Sequence, residues 1–378
     1  MGHVALVGAG PGDPALLTVR AAELIRAADV VAYDDLVSES ILALVPAHVE
    51  LVAVGRRAGR GDTGYRLHPI VLTRARAGRF VVRLKAGDPL VFGRGGEEAE
   101  ELAAAGVRFE IVPGISAALG AASYAGIPLT HRDHAAQLVV TSGHRADGGF
   151  PPPGRGSGRT LALYMAAHEL AVNLEAIVSA GWDARTPAAI VIAATTPDER
   201  TIVGTLATLS TLAEGARSSS RSLPSLVIVG EVVTVRATID WRSRLALRGR
   251  RVVVARARSG FSRVAMVLRT LGADVLELPH VERHTLPARW PSRVDLVVLP
   301  ASSAAIALYS VAPMHVRAAP TVVIGEGTEE AAQRFEVGSI VRATADTIDA
   351  LADAAQRALS RPKVPASLAQ DSEARASP

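Results

Sequence analysis

The residue types best suited to chemistry in this chain follow three short apolar runs. The run Val4–Val7 leads into Gly8-Ala9-Gly10-Pro11-Gly12-Asp13-Pro14, the strand Phe80–Leu84 leads through Lys85 into Ala86-Gly87-Asp88-Pro89, and Ile111–Pro113 leads into Gly114-Ile115-Ser116-Ala117. Glycine without a Cβ and proline with its fixed φ let backbone amides and carbonyls approach a ligand closely, which suits a flat or compact molecule. The first loop is not a dinucleotide fingerprint, because Asp13 stands where G-x-G-x-x-G needs its third glycine. Nor is it a Walker A loop: it ends in Gly12-Asp13-Pro14 rather than Gly-Lys-Ser/Thr, and a carboxylate there disfavours polyphosphate. Taken alone, this loop also fits a tight strand-to-helix turn with no ligand. A further apolar run, Val30–Tyr33, ends in Asp34 and Asp35. A dinucleotide site would set Asp34 on a ribose hydroxyl, the lesser reading once the fingerprint fails.

Such loops need a scaffold, and the chain alternates short apolar strands with amphipathic helices, the pattern of α/β architecture. Val4–Val7, Val30–Tyr33, Val49–Val54, Phe80–Leu84 and the end of Ile111–Pro113 read as strands, with helices over Leu16–Ala27 and Glu97–Ala105. Three glycine loops after three strands converge at the carboxyl edge of one parallel sheet, where open α/β sheets bind ligands. After "GIPLTHRDH" a second set begins, with strands Gln137–Ser142, Leu161–Met165, Ala188–Ala193 and Ser225–Val229 and a helix over Glu169–Ala180. "ADGGFPPPGRGSGR" (146–159) and "EGARSSSRS" (214–222) read as mobile loops within it. A third α/β unit starts near Arg248 and ends near Leu359, and the proline- and serine-rich residues after it read as a disordered tail.

The 378 residues, 49% hydrophobic, are enough for two or three domains. No apolar run reaches the ~18 residues of a membrane span and no leader pattern opens the chain, so a cytoplasmic protein is expected. Zero cysteines exclude disulfides and thiolate metal sites. The net charge of +4, with arginine far outnumbering lysine, is weak evidence for nucleic acid and suits an anionic small molecule equally well. His131, His134 and His144 lack the spacing of a helical metal pair, so no metal is expected. "GEEAEELAAAG" reads as a solvated helix face.

In order along residues 3–235, "GAGPGDPALLT", "YDDLVS", "VGRRAG", "VRLKAGDPLVFGRGGEE", "VPGISAA", "GIPLTHR" and "LYM" resemble the uroporphyrinogen-III C-methyltransferase branch of the tetrapyrrole methylases. "FGRGGEE" and "PLTHR" separate this branch from the later precorrin methylases, the diphthine synthases and the ribosomal RNA methylases of the same fold. The resemblance implies a two-domain α/β fold, residues 1–130 and 131–241, with the active-site cleft between the domains. S-adenosylmethionine would bind there and leave as S-adenosylhomocysteine. The reaction implied is methylation of uroporphyrinogen III at C2 and then C7, giving precorrin-2 for sirohaem or corrinoid synthesis, by a homodimer that binds neither nucleic acid nor membrane.

Carried over residue by residue, the family's cofactor contacts fall on Pro11, on Ala86, Gly87, Asp88 and Val91, on Ser116 and Ala117, on Met165 and on Ala194. Its base falls on Asp34. Its paired lysine falls on Arg56, which keeps a charge that can grip a carboxylate but, with a pKa above about 12, is a poor proton donor. Ala86 and Ala194 stand where the family usually has glycine, and each added methyl narrows a backbone contact. His131 and Arg132 are candidates for contact with the substrate's carboxylates. Residues 246–360 resemble one lobe of uroporphyrinogen-III synthase, in "GRRVVVARARSGFSRVAMVLRTLGADVLELP" and "DLVVLPASSAAIALYS", while residues 361–378 form the tail. A different class of reading is a catalytically weakened tetrapyrrole-binding or regulatory protein, motivated by Arg56, Ala86, Ala194 and the half-synthase.

Overall fold

The near-continuous apolar runs of the first 130 residues form strands buried on both faces, as expected where helices cover a parallel sheet. In the computed structural model these are β1 (His3–Gly8), β2 (Val30–Tyr33), β3 (Glu50–Ala53), β4 (Phe80–Lys85) and β5 (Arg108–Val112). They pair in the order β3-β2-β4-β1-β5, all parallel. The order sets the carboxyl ends of β2, β4, β1 and β5 side by side, so Asp34 and the three glycine loops share one edge. Separate cores fill the two faces, one around Ile25, Ile41 and Leu84, the other around Leu6, Val71 and Leu102.

The structure describes residues 2–55, 67–143, 152, 154, 158–216, 223–256, 262–279, 289–335, 337–345 and 347–360. Arg56, His144, most of the 146–159 loop, residues 217–222 and the expected tail lie outside them.

The second sheet comprises β6 (Gln137–Ser142), β7 (Arg159–Tyr164), β8 (Pro187–Ile192), β9 (Arg200–Thr205) and β10 (Ser225–Val229), in the order β6-β7-β10-β8-β9. Only β6 and β7 run parallel; the other pairs are antiparallel. Helix Ala117–Ala125, which follows the third glycine loop, packs Ala118, Ala121 and Ala122 into the core of this second sheet and so ties that loop to the second lobe.

Residues Met1–Ser243 form one unit and Arg244–Pro378 another. The second unit holds β11 (Arg251–Arg256), β12 (Asp274–Pro279), β13 (Leu296–Leu299), β14 (Thr321–Ile324) and β15 (Ile340–Ala343), all parallel in the order β12-β11-β13-β14-β15. That is the 2-1-3-4-5 winding of flavodoxin-like sheets.

Three local expectations are corrected. The strands expected to reach Met165 and Ala193 stop at Tyr164 and Ile192, because Met165 (φ 56°) and Ala193 (φ 48°) turn into the left-handed region. The helix expected from Leu16 is a 3₁₀ turn, Pro14–Leu16, then helix Val19–Ala27, whose start is fixed by Thr18 accepting from the Ala21 N–H at 3.1 Å. The "GEEAEELAAAG" helix is not solvated all round, because Glu98 is 0% exposed.

Candidate active site

The glycine loops are fastened to one another through the backbone. Gly10 N–H donates to the Gly87 carbonyl at 3.1 Å and Gly87 N–H to the Gly10 carbonyl at 2.8 Å, with both residues at φ 68°. This left-handed pair favours glycine on each side. The second loop meets the third through Asp88, whose Oδ2 accepts from the Gly114 N–H at 3.1 Å while Oδ1 accepts from Leu90 N–H at 2.8 Å. A Cβ built on Gly114 would lie 2.2 Å from the Gly87 carbonyl oxygen. Gly114→Ala is therefore expected to cost about 1–3 kcal/mol by overpacking against backbone, read as a fall of several degrees in Tm. An unchanged melting curve would show that the loops are not in this contact.

The other wall comes from the second lobe. Gly12 packs on Thr195 and Thr196 and against the Ala194 carbonyl, and Asp13 N–H donates to Thr195 Oγ1 at 3.1 Å. Asp13 Oδ2 also accepts from the Tyr124 hydroxyl at 2.7 Å. Tyr164 OH accepts from the Ala118 N–H at 2.8 Å and lies 2.7 Å from Ser116 Oγ, so it caps the helix whose own N-cap, Ser116, makes no capping bond. Its ring meets Phe92 at 4.8 Å between centroids. Among the described residues, all five non-glycine residues of positive φ lie in or beside these segments: Phe92, Arg94, Met165, Ala193 and Thr195. Strained backbone of that kind persists where surrounding structure holds it and concentrates at ligand sites. Leu90, Val91, Phe92 and Met165 leave apolar surface exposed along the same edges.

Asp34 follows β2 directly. Its Oδ1 lies 2.5 Å from Arg83 Nη2 and its Oδ2 3.7 Å from Lys85 Nζ. Arg83 and Lys85 project from one face of β4 by the two-residue period of a strand, and both reach Glu98 Oε1 at 3.0 Å. Burial and the neighbouring Arg83 guanidinium push the Lys85 ammonium below the ordinary lysine range, against the pull of the two carboxylates. Arg83 moves upward, its desolvation outweighed by Asp34 and Glu98.

Of the residues expected to hold the cofactor, Gly87 faces Ser116 and Ala117, Asp88 bonds the Gly114 amide, Ser116 meets Tyr164 and the Ala194 carbonyl packs against Gly12, while Asp34 follows the neighbouring strand β2. Pro11 sits against Gly120, and Gly87 faces the Ala117 amide. Ala194 packs against the second-lobe core. His131 and Arg132 lie in a turn closed by the His131–Ala135 backbone pair. Among the described residues no hydrogen bond or ion pair joins that turn to the glycine loops. Sequence reasoning missed Tyr124, Tyr164 and Thr195, and also the Arg83-Lys85-Glu98 group. The last had a legible signal: two cations at i and i+2 inside an otherwise apolar strand.

A two-lobed α/β unit whose glycine loops are fastened to one another and to the second lobe is the class of protein this site defines. Residues 3–210 match the family model of the tetrapyrrole (corrin/porphyrin) methylases, and the chain belongs to that family. It is 47% identical over 245 residues to a siroheme synthase of Azotobacter vinelandii, covering 64% of this chain and 52% of that protein. The chain thus spans about half the length of the curated relatives it matches. Among solved structures it is similar to a uroporphyrin-III C-methyltransferase of Thermus thermophilus complexed with S-adenosylhomocysteine, at 41% identity and TM-score 0.51 over 62% of this chain and 100% of that one. It is also similar to a cobalt precorrin-4 methyltransferase, at 30% identity and TM-score 0.51 over 61% of this chain and 95% of that one.

Proposed function

We propose that this chain is an S-adenosylmethionine-dependent C-methyltransferase that converts uroporphyrinogen III to precorrin-2. The observation that carries the reading is the fastening of three glycine loops to one another and to the second lobe, through Gly10–Gly87, Asp88–Gly114 and Asp13–Thr195. The fit to the cofactor is specific: Gly87 at φ 68° presents backbone where a side chain would fill the space before Ala117. When bound, S-adenosylmethionine supplies an electrophilic methyl on a sulfonium, already a good leaving group.

The protein's contribution is alignment, exclusion of water and one proton transfer. The loop amides and carbonyls around Gly87 and Ala117 hold the amino acid and adenine portions, Met165 and Val91 supply apolar contact, and Asp88 fixes loop against loop. Asp34 removes the proton that the methylated macrocycle must lose. Arg56 supplies fixed charge to the substrate's carboxylates. The 41% identity to a uroporphyrin-III enzyme against 30% to a precorrin-4 enzyme favours the earlier macrocycle. We assign the protein to the cytoplasm as a homodimer, and residues 246–360 to a synthase-like lobe on the strength of their parallel winding.

Anaerobic incubation with S-adenosylmethionine is expected to release S-adenosylhomocysteine only when uroporphyrinogen III is added. Release independent of the macrocycle would overturn the substrate assignment. Tyr164→Phe removes the hydroxyl that caps helix Ala117–Ala125 and holds Ser116. Losing one hydrogen bond while orphaning an amide is worth about 1–2 kcal/mol, so calorimetry should show S-adenosylhomocysteine affinity falling about tenfold. Unaltered affinity would remove Tyr164 from the site.

A further inference from the structure

Of the 41 basic residues only Lys85 and Lys363 are lysines. Lys85 ends β4 with its side chain 1% exposed. A chain that uses arginine for almost every cation has kept lysine at a buried position, two residues from a buried arginine. The two residues differ in one respect that matters there: arginine holds its proton at every accessible pH, whereas a desolvated lysine can release it. Among the described residues, the charged groups facing Lys85 are Arg83 on its own strand, Asp34 after β2 and Glu98 from helix Gly95–Ala104. Arg83 and Glu98 are at most 1% exposed, while the Asp34 side chain is 14% exposed. Within this group Asp34 is therefore the member that meets the cleft, and a proton passing between cleft and Lys85 passes through it.

We propose that Lys85 is the proton partner of Asp34, a positioning residue that takes the proton Asp34 collects and so returns Asp34 to the carboxylate before the second methyl transfer. The inference rests on the reading of Asp34 as the base. The step balances as follows: methyl transfer leaves a positive charge on the macrocycle, a C–H bond then breaks, and its electron pair stays on the macrocycle and neutralises that charge. The proton passes to Asp34 Oδ2 and from there to the lone pair of the Lys85 amine. Glu98 Oε1, 3.0 Å away, holds the ammonium so formed. Arg83 occupies Oδ1 at 2.5 Å, which leaves Oδ2 as the exchanging oxygen. The 3.7 Å between Oδ2 and Nζ closes by a small rotation of the lysine terminus. Burial and the Arg83 charge disfavour the ammonium, the direction in which the exchange needs Lys85 to be shifted.

The two lysines make a direct test possible, since protein labelled with ¹³C at lysine Cε gives two signals, and Lys363→Arg assigns them. The Lys85 signal is expected to titrate below that of Lys363, and Asp34→Asn should lower its midpoint further by removing a facing carboxylate. In turnover, Lys85→Arg keeps the cation but not the exchange. It should retain S-adenosylhomocysteine affinity, slow the second transfer about tenfold or more so that monomethylated macrocycle accumulates, and abolish one limb of the pH–rate profile. Lysine signals that titrate together, or a Lys85→Arg enzyme with wild-type product ratio and profile, would overturn the proposal. Wild-type protein that transfers no methyl at all would instead contradict the functional reading, leaving the titration and its response to Asp34→Asn to decide the Lys85 coupling.

Discussion

Gly87→Trp is expected to abolish S-adenosylhomocysteine binding while leaving the protein folded. Two effects add at this residue. Its φ of 68° places any L side chain in the left-handed region, a cost of about 1–2 kcal/mol. The indole must also project from a loop whose Cβ direction faces the Ala117 amide at 3.6 Å and Ser116 Cα at 3.9 Å. Because the Cβ itself meets only ordinary van der Waals contact, the loop can keep its bonds to Gly10 while the larger group fills the cleft. The expected calorimetric trace is flat, with circular dichroism unchanged. Wild-type affinity in a folded Gly87→Trp protein would mean that the ligand lies elsewhere.

Asp34→Asn should give the largest kinetic effect, a loss of about 10²–10⁴ in kcat, the range of general acid–base catalysis. The amide is close to isosteric but takes no proton, and it leaves the loops of the cofactor cleft intact. S-adenosylhomocysteine affinity should therefore hold within a few-fold. A fall in kcat and kcat/KM together marks loss of an interaction made in the transition state. Turnover within a few-fold of wild type would exclude Asp34 as the base and would move attention to groups beyond the first sheet edge.

What the sequence disclosed and what it hid follow a physical division. β1 and β2 were legible because strands buried on both faces are apolar throughout, β4 because its Phe80–Val82 start is, and the loops after them because glycine and proline mark backbone that departs from regular structure. The left-handed turns at Met165 and Ala193 were not legible, since neither residue type announces a positive φ. β9, "RTIVGT", escaped because it is an antiparallel edge strand with Val203 46% exposed and no apolar run to report it. Glu98 looked like one more charge on a solvated helix, yet Arg83 and Lys85 fifteen and thirteen positions earlier draw it into the interior. Buried charge is decided by its partners, and partners are set by tertiary structure. The cluster behind Asp34 was therefore the part of the site that sequence reasoning reached last.

The departures Ala86 and Ala194 bear on whether the protein is an active methylase or a weakened tetrapyrrole binder. The most direct measurement follows the methyl itself: purified protein, reduced uroporphyrinogen III and methyl-labelled S-adenosylmethionine are combined anaerobically, and the macrocycle is examined by mass spectrometry. The account predicts two labelled methyl groups per macrocycle and two molecules of S-adenosylhomocysteine released. A macrocycle that binds to the protein yet carries no label would contradict it.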